Sequence, residues 1–371
     1  MPVEPTNIDL SVIDEHTSQL RVNGPRLIDR IMALAEISPI PGGGNCRLAL
    51  TDEDKLGRDL VVSWMRDLSM DVQIDAIGNI IGTWQVGSGL PVMTGSHIDT
   101  VRTGGKYDGN YGVLAGLEVV ETLQQARFTP QRPLSVAIFT DEEGARFAPD
   151  MLGSLVYVGG LPLEEALDIP AIDGPRLGDE LERIGYAGSL PCPGVAPHAF
   201  VELHIEQGAL LENAGKDIGV VTHALAQAWY EVTIEGAESH GGSPMAGRRD
   251  AMMAAAPLMA AIEEIALNAI SPAGEPGRAT VGRLTVYPDS RNIAPSRIWF
   301  SIDTRHGDPA MLARMGSEIR AKAAELSAAR GVAITISDFW QSPLTPFDNA
   351  LVGRVRDAAA RLGLPHMDMP T

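Results

Sequence analysis

Along residues 1–220 short apolar runs alternate with segments of helical period, and few architectures bury both kinds of surface. TDEDKLGRDLVVSWMRDL (51–68) opens on a capping-box pattern, Thr51 with Asp54, and carries apolar residues at helical spacing. The β-rich runs VQI, NIIGTW and PVMTG follow. Val113, Leu117, Val120 and Leu123 then recur as one face of a helix would. LSVAIFT reads as a buried strand and FVELHIE as another. Such alternation predicts an α/β domain with a mostly parallel central sheet.

Past residue 220 the order changes. WYEVTIEG reads as a strand, residues 249–267 as a helix, VGRLTVYP and RIWFSIDTR as two strands, residues 309–329 as a helix and VAITISDFW as a last strand. The order β-α-β-β-α-β is that of a ferredoxin-like split βαβ unit. Asp308 can cap the second helix, Pro309 suits its first turn and Gly331 follows its end. Two domains are therefore expected: residues 1–220 with 339–371 as the α/β body, and residues 221–338 as a ferredoxin-like α+β domain inserted into it.

The chain carries 29 Lys and Arg against 48 Asp and Glu, a formal charge of −19. Its surface repels nucleic acid and anionic membranes, so a small molecule or a cation is the expected partner. Cys46 and Cys192 are too few for a disulfide framework and point to a reducing compartment. The opening MPVEPTNIDLSVIDEH lacks the basic and apolar regions of a secretory signal, and no stretch approaches the roughly 18 apolar residues of a membrane span. A cytoplasmic location is expected.

VMTGSHIDTVRTGGKYDGNYG (92–112) runs a strand into His97, Asp99, Asp108 and several glycines, then into a helix. A turn needs the glycines but not the three polar residues. Imidazole nitrogen with carboxylate oxygen suits zinc, manganese or cobalt better than calcium or magnesium. Gly104, Gly105, Gly109 and Gly112 let the backbone fold back so that Asp108 faces His97. Asp99, two residues on, is placed to accept the other ring proton of His97 and fix its tautomer. Taken alone, a His and two Asp in a Gly-rich loop are more often a solvated turn.

Two further stretches favour a metal. In DEEGARF, after the strand LSVAIFT, Glu142 and Glu143 offer one carboxylate to hold a cation and one to take a proton from water. In VELHIEQG, strand alternation sets Glu202, His204 and Glu206 on one face. Other motifs fail: GGKYDG lacks the spacing of a phosphate loop, GNYGVLAG is a poor dinucleotide fingerprint, and no G-x-S-x-G elbow is present. His16, His198, His223, His306 and His366 have no ligand-like companions nearby in sequence.

In order, GSHIDTVRTGGKYDG, TDEEGARF, ELHIEQG, ESHGGSPMAGRRDA and the end of RNIAPSRIWFSIDTR resemble the zinc-dependent amidohydrolases that include N-carbamoyl-L-amino-acid hydrolase, β-ureidopropionase and allantoate amidohydrolase. These belong to the aminoacylase/carboxypeptidase superfamily of two-metal hydrolases. The likeness runs from PGGGNCRLALTDED onward, and HIEQG separates this group from the related peptidases. It implies a metallohydrolase catalytic domain with an inserted lid through which subunits form a homodimer.

By that resemblance Asp108 bridges two divalent ions, His97 and Glu143 are terminal ligands, and His204 holds one of the ions. Zinc, manganese, cobalt and nickel accept such ligands alike. Glu142 is implied as general base and His240 as the oxyanion donor, with Asp99 beside His97 completing the catalytic set. Gln207, Asn292 and Arg305 match substrate-holding positions, Arg305 as a bidentate grip on a carboxylate. The resemblance also implies a further His ligand on a Ser-Gly-rich segment beyond PHMDMPT, where this sequence stops, so the C-terminal part of the catalytic domain is expected to be incomplete. His366 lies too early by motif to be that ligand. GGSPM is one residue shorter than the usual loop, and Asp141 stands where Asn is usual; both touch substrate geometry more than reaction type.

The expected reaction is hydrolysis of a carbamoyl or ureido C–N bond in an N-carbamoyl amino acid or a compound such as allantoate. Hydrolysis of an N-acyl amino acid or dipeptide is the alternative with the same metal core. A catalytically idle metal-binding or oligomerisation protein is the alternative from another class.

Overall fold

The computed structural model describes residues 20–272 and 274–371, so the opening MPVEPTNIDLSVIDEH, with His16, lies outside the described residues. The chain divides into two compact units, one ending at Ile205 and the other spanning Glu206–Thr371. The first contains α1 (Gly24–Ala35), α2 (Asp52–Asp67), β1 (Asp71–Ile74), β2 (Ile80–Trp84), β3 (Val92–Ser96), α3 (Asn110–Gln125), β4 (Leu134–Ile138), α4 (Leu152–Tyr157), α5 (Leu163–Leu167), α6 (Leu177–Ile184) and β5 (Ala199–Val201).

α2 begins as its sequence dictates: Thr51 accepts the N–H of Asp54. The reciprocal half of the capping box is replaced. Asp54 accepts from the N–H of Leu50 at 2.8 Å and from Nε of Arg58 at 2.7 Å, an i,i+4 ion pair that is wholly buried. The apolar faces of α1, α2 and α3 meet over the sheet, where Ile31, Leu34, Val61, Met65, Ile80, Val113, Leu117 and Val136 share one core. Each such side chain contributes about 2 kcal/mol by leaving water.

The sheet order is β1-β2-β4-β3-β5, and it is mixed rather than mostly parallel. β3 pairs in parallel with β4 and β5, but β1–β2 and β2–β4 are antiparallel. The cause is local. β1 and β2 are joined by a turn that Asp75 closes on the N–H groups of Ile77 and Asn79, and a turn that short cannot make the crossover a parallel pair needs. The parallel part, β4-β3-β5, is the part whose C-terminal ends carry His97, Glu142 with Glu143, and His204.

The second unit contains α7 (Leu210–Ala214), β6 (Ile218–Ala224), β7 (Ala226–Glu235), β8 (Ser239–His240), α8 (Met252–Asn268), β9 (Arg278–Thr280), β10 (Leu284–Tyr287), β11 (Ile293–Ala294), β12 (Arg297–His306), α9 (Pro309–Arg330), β13 (Ala333–Ser342), β14 (Thr345–Pro346), α10 (Asn349–Arg361) and β15 (His366–Pro370). β10-β12-β7-β13 form an antiparallel sheet, with β9 also paired to β12, in the split βαβ order read from the sequence. α8 and α9 cover one face through Leu258, Ile262, Ile319 and Leu326 against Val232, Ile234 and Phe300. A separate sheet, β14-β6-β15, is built from residues on both sides of segment 226–342. No helix among the described residues is long and apolar enough to cross a membrane.

Candidate metal and catalytic site

His97 follows the last residue of β3 and is 1% exposed. Its Nδ1 lies 2.9 Å from the backbone carbonyl of Asp99. A carbonyl only accepts, so the ring proton sits on Nδ1 and Nε2 keeps its lone pair. That buried Nε2 makes no hydrogen bond and faces Glu142 Oε2 at 3.3 Å and Asp108 Oδ1 at 4.0 Å. The ring lies against Gly109, whose φ is +62°; a Cβ there would fall 2.5 Å from the ring atoms.

Asp99 therefore acts differently from the sequence reading. Its carbonyl, not its carboxylate, holds the His97 proton; the nearer carboxylate oxygen is 3.7 Å from Nδ1. The carboxylate instead accepts the backbone N–H groups of Glu142 and Glu143, each at 3.2 Å. Asp99, beyond the end of β3, thus fixes the acidic loop after β4.

β5 ends at Val201, so His204 stands beyond the paired strand and the expected alternating face stops short of it. Its Nδ1 lies 2.9 Å from the carbonyl of Ile205, and its Nε2 lies 3.2 Å from Asp108 Oδ1. Glu202 accepts the hydroxyl proton of Ser96 at 2.5 Å. Glu206 serves α7, accepting the N–H groups of Leu210 and Leu211, and is no part of the ligand group. His97, Asp108 and His204 bring one ligand atom each to within 4.8 Å of one another. Neither glutamate of the pair belongs to that group, although Glu142 Oε2 closes on His97.

The electrostatics match crowded donors. Burial, reinforced by Asp99 and other carboxylates and opposed by His97, pushes Glu142 and Glu143 up to about 7. The bond to Asp108 raises His204 to about 9. Burial works against a charged His97, yet Glu142, Asp99 and Glu143 carry its pKa above the ordinary imidazole value. Asp141, buried and at φ +53°, is pushed well above the usual carboxylate range by burial and by Asp99, and its Oδ2 has no hydrogen-bond partner. Two imidazoles fixed at Nδ1, each presenting Nε2 toward Asp108, are what a first-row divalent cation takes as ligands. The residues fit such an ion.

Gln207, His240, Asn292 and Arg305 all lie in the second unit. β8 and β11 pair His240 with Ile293, which sets His240 Nε2 3.3 Å from the amide of Asn292. The N–H of Gly242 donates to Nδ1 at 3.2 Å. Arg305, on β12, is held by Asp303 through Nε and Nη2, the latter at 2.8 Å. The sequence reading missed Arg248. Its guanidinium donates to the carbonyls of His240, Gly241, Ser243 and Pro244 and shapes the loop after His240. The visible signal is an Arg pair closing a Gly-rich loop, GGSPMAGRR.

Residues 93–371 match the peptidase family M20/M25/M40. An N-carbamoyl-L-amino-acid amidohydrolase of Rhizobium meliloti is 40% identical over 354 residues, 94% of this chain and 84% of that protein. An allantoate amidohydrolase of Bacillus subtilis is 31% identical over 349 residues, 92% of this chain and 84% of its own length. Among solved structures, an amidase of the hydantoinase/carbamoylase family from Burkholderia vietnamiensis superposes with a TM-score of 0.91 at 44% identity, covering 95% of this chain and 85% of that one. With the likeness spanning both units and the ligand-bearing strand ends alike, the chain belongs to peptidase family M20/M25/M40.

Proposed function

We propose that the protein is a metal-dependent amidohydrolase that cleaves a carbamoyl or ureido C–N bond in a small carboxylate-bearing compound, an N-carbamoyl amino acid or a relative such as allantoate. The observation that carries this reading is the convergence of His97, Asp108 and His204 from separate segments, with Glu142 beside them. Relatives named N-carbamoyl-L-amino-acid amidohydrolase and allantoate amidohydrolase support it. The reading includes two ions per subunit, of zinc, manganese, cobalt or nickel, with Glu143 as a further ligand. It also includes residues 1–220 with 339–371 as the catalytic domain, residues 221–338 as an inserted lid and homodimer contact, and a cytoplasmic location.

A divalent cation at this site supplies a Lewis acid for the substrate carbonyl and makes water a stronger acid. Glu142, with a pKa near neutrality, is matched to take a proton from the attacking water and return it to the leaving nitrogen. Asp99 keeps Glu142 and Glu143 in place through their backbone N–H groups. In this reading His240 is the donor to the developing oxyanion, and Gln207, Asn292 and Arg305 hold the substrate.

Ammonia release from a panel of N-carbamoyl-L-amino acids, N-carbamoyl-β-alanine and allantoate tests the reading, with Glu142→Gln as control and N-acetyl amino acids and dipeptides as a parallel arm. Release that disappears in Glu142→Gln supports it. Turnover confined to the acetyl or peptide arm replaces the substrate class, and wild-type turnover by Glu142→Gln removes the base.

A further inference from the structure

α2 carries a glycine, Gly57, in mid-helix, where glycine costs about 1 kcal/mol relative to alanine. A Cβ at that position would lie 2.9 Å from Cδ and 3.2 Å from Nε of Arg47. The helix forgoes a side chain so that Arg47 can pass against it.

Arg47 is 0% exposed, and its hydrogen bonds go to neutral oxygens. Nε donates to the carbonyl of Ile98 at 2.7 Å and Nη2 to Oδ1 of Asn110 at 2.9 Å. Nη1 reaches the carbonyls of Leu34 and Ile37 at 3.3 and 3.4 Å. Its backbone is bonded both ways to Thr100, the N–H to Oγ1 and the carbonyl from the Thr100 N–H, each at 2.8 Å. Burying a guanidinium on neutral acceptors is costly, and an apolar side chain of similar volume would fill the space at less cost.

The two oxygens gripped by Nε and Nη2 belong to the two segments that bear ligands. Ile98 stands between His97 and Asp99. Asn110 opens α3 just after Asp108; its Nδ2 donates to the carbonyl of Lys106 at 3.0 Å and its backbone N–H to that of Asp108 at 2.6 Å. We propose that Arg47 is a positioning residue for the cation site: its guanidinium ties the strand end bearing His97 to the helix start bearing Asp108 and sets the separation of their ligand atoms. This rests on the reading of His97, Asp108 and His204 as a cation site.

The test is calorimetric titration of the metal-free protein with Zn²⁺, alongside thermal unfolding without metal, for wild type, Arg47→Met, Asn110→Ala and Arg58→Met. Arg58 is as deeply buried, but its bonds go to Asp54, Gly78 and Thr140 and to neither the His97 nor the Asp108 segment, so its loss reports removal of a core guanidinium that does not join those two ligands. Zn²⁺ affinity falls roughly 10- to 100-fold in Arg47→Met and Asn110→Ala. In Arg58→Met it stays within about threefold of wild type even though Tm falls, because a buried ion pair is broken. Unchanged affinity in both Arg47→Met and Asn110→Ala overturns the proposal and leaves Arg47 a core residue. Should Arg47→Met fail to fold, Asn110→Ala decides, because it keeps the guanidinium and removes its hold on the Asp108 side. A wild-type protein that takes up no Zn²⁺ removes the cation-site reading itself, an outcome distinct from wild-type binding that the variants do not weaken.

Discussion

His97 gives its Nδ1 proton to the backbone carbonyl of Asp99, two residues on, at 2.9 Å. A bond to main chain cannot be lost by changing a side chain, so the tautomer that presents Nε2 is set by the path of the chain. The Asp99 carboxylate is left for another task, holding the backbone of Glu142 and Glu143.

Asp99→Asn separates the two tasks. The carbonyl survives and His97 keeps its tautomer, but the amide has one acceptor oxygen for two N–H groups and turns its NH2 on the other. The acidic loop loses its anchor, and kcat/KM falls roughly 10- to 100-fold. Steady-state kinetics with bound-metal analysis checks this; an Asp99→Asn enzyme with wild-type kcat/KM shows that the loop is held by other contacts.

Gly109 and Gly105 sit in one turn and are expected to respond in opposite ways. At Gly109 a methyl group meets both a φ of +62° and the His97 ring at 2.5 Å. A positive φ of this kind alone costs an alanine about 1 kcal/mol or more, and the displaced ring adds to it. At Gly105 nothing lies within 4 Å of a new Cβ and φ is not in the left-handed region. Gly109→Ala loses about 2 kcal/mol or more of stability and most of its cation affinity, whereas Gly105→Ala stays near wild type. Equal behaviour of the two variants in unfolding and metal titration contradicts the packing described.

The contrast between those glycines shows what the sequence could convey. GGKYDG announces a tight turn beside ligands, but which glycine is indispensable depends on where the His97 ring lies. The capping of α2 and α9, and the split βαβ order, were legible because they rest on local pattern. The mixed sheet was not, since the direction of β2 relative to β4 is a property of pairing. His204 looked like a strand residue because VELHIE alternates; β5 stops at Val201, where its register with Thr94 ends. Asp99 was found by residue type, but residue type does not say which of its oxygens meets the ring.

Glu118 lies on α3 among apolar positions and is 1% exposed, accepting from Arg26 Nε and Nη2, the N–H of Asn23 and the hydroxyl of Thr122. Burial would raise its pKa, but the Arg26 bond and these other donors bring it below the ordinary value. A depressed folded-state pKa gives stability that is present above about pH 4.5 and lost as pH falls through the folded value. Glu118→Gln removes the charge and leaves Arg26 paired with Glu121 alone, at a cost of about 1–2 kcal/mol. Urea unfolding at neutral pH reads the loss, and activity per folded molecule stays unchanged because Glu118 belongs to the packing of α1 on α3.

The metal-free site has the opposite sign. Glu142 and Glu143 rise to about 7 and His204 to about 9. A group whose folded pKa is raised contributes stability in full below its unfolded pKa, near 4.5 for these carboxylates and 6.5 for the imidazole, and loses it as pH climbs through the folded value. Stripped of metal, the protein should therefore lose Tm steadily from about pH 5 to about pH 9, the carboxylates acting first and His204 after them. A divalent cation takes the place of those protons, so added Zn²⁺ should raise Tm far more at about pH 8 than at about pH 5, where protons compete for the same lone pairs. Differential scanning fluorimetry with chelator and with Zn²⁺ across this range decides it. A chelated protein whose Tm is flat over the interval would show that these side chains do not share protons as their geometry demands.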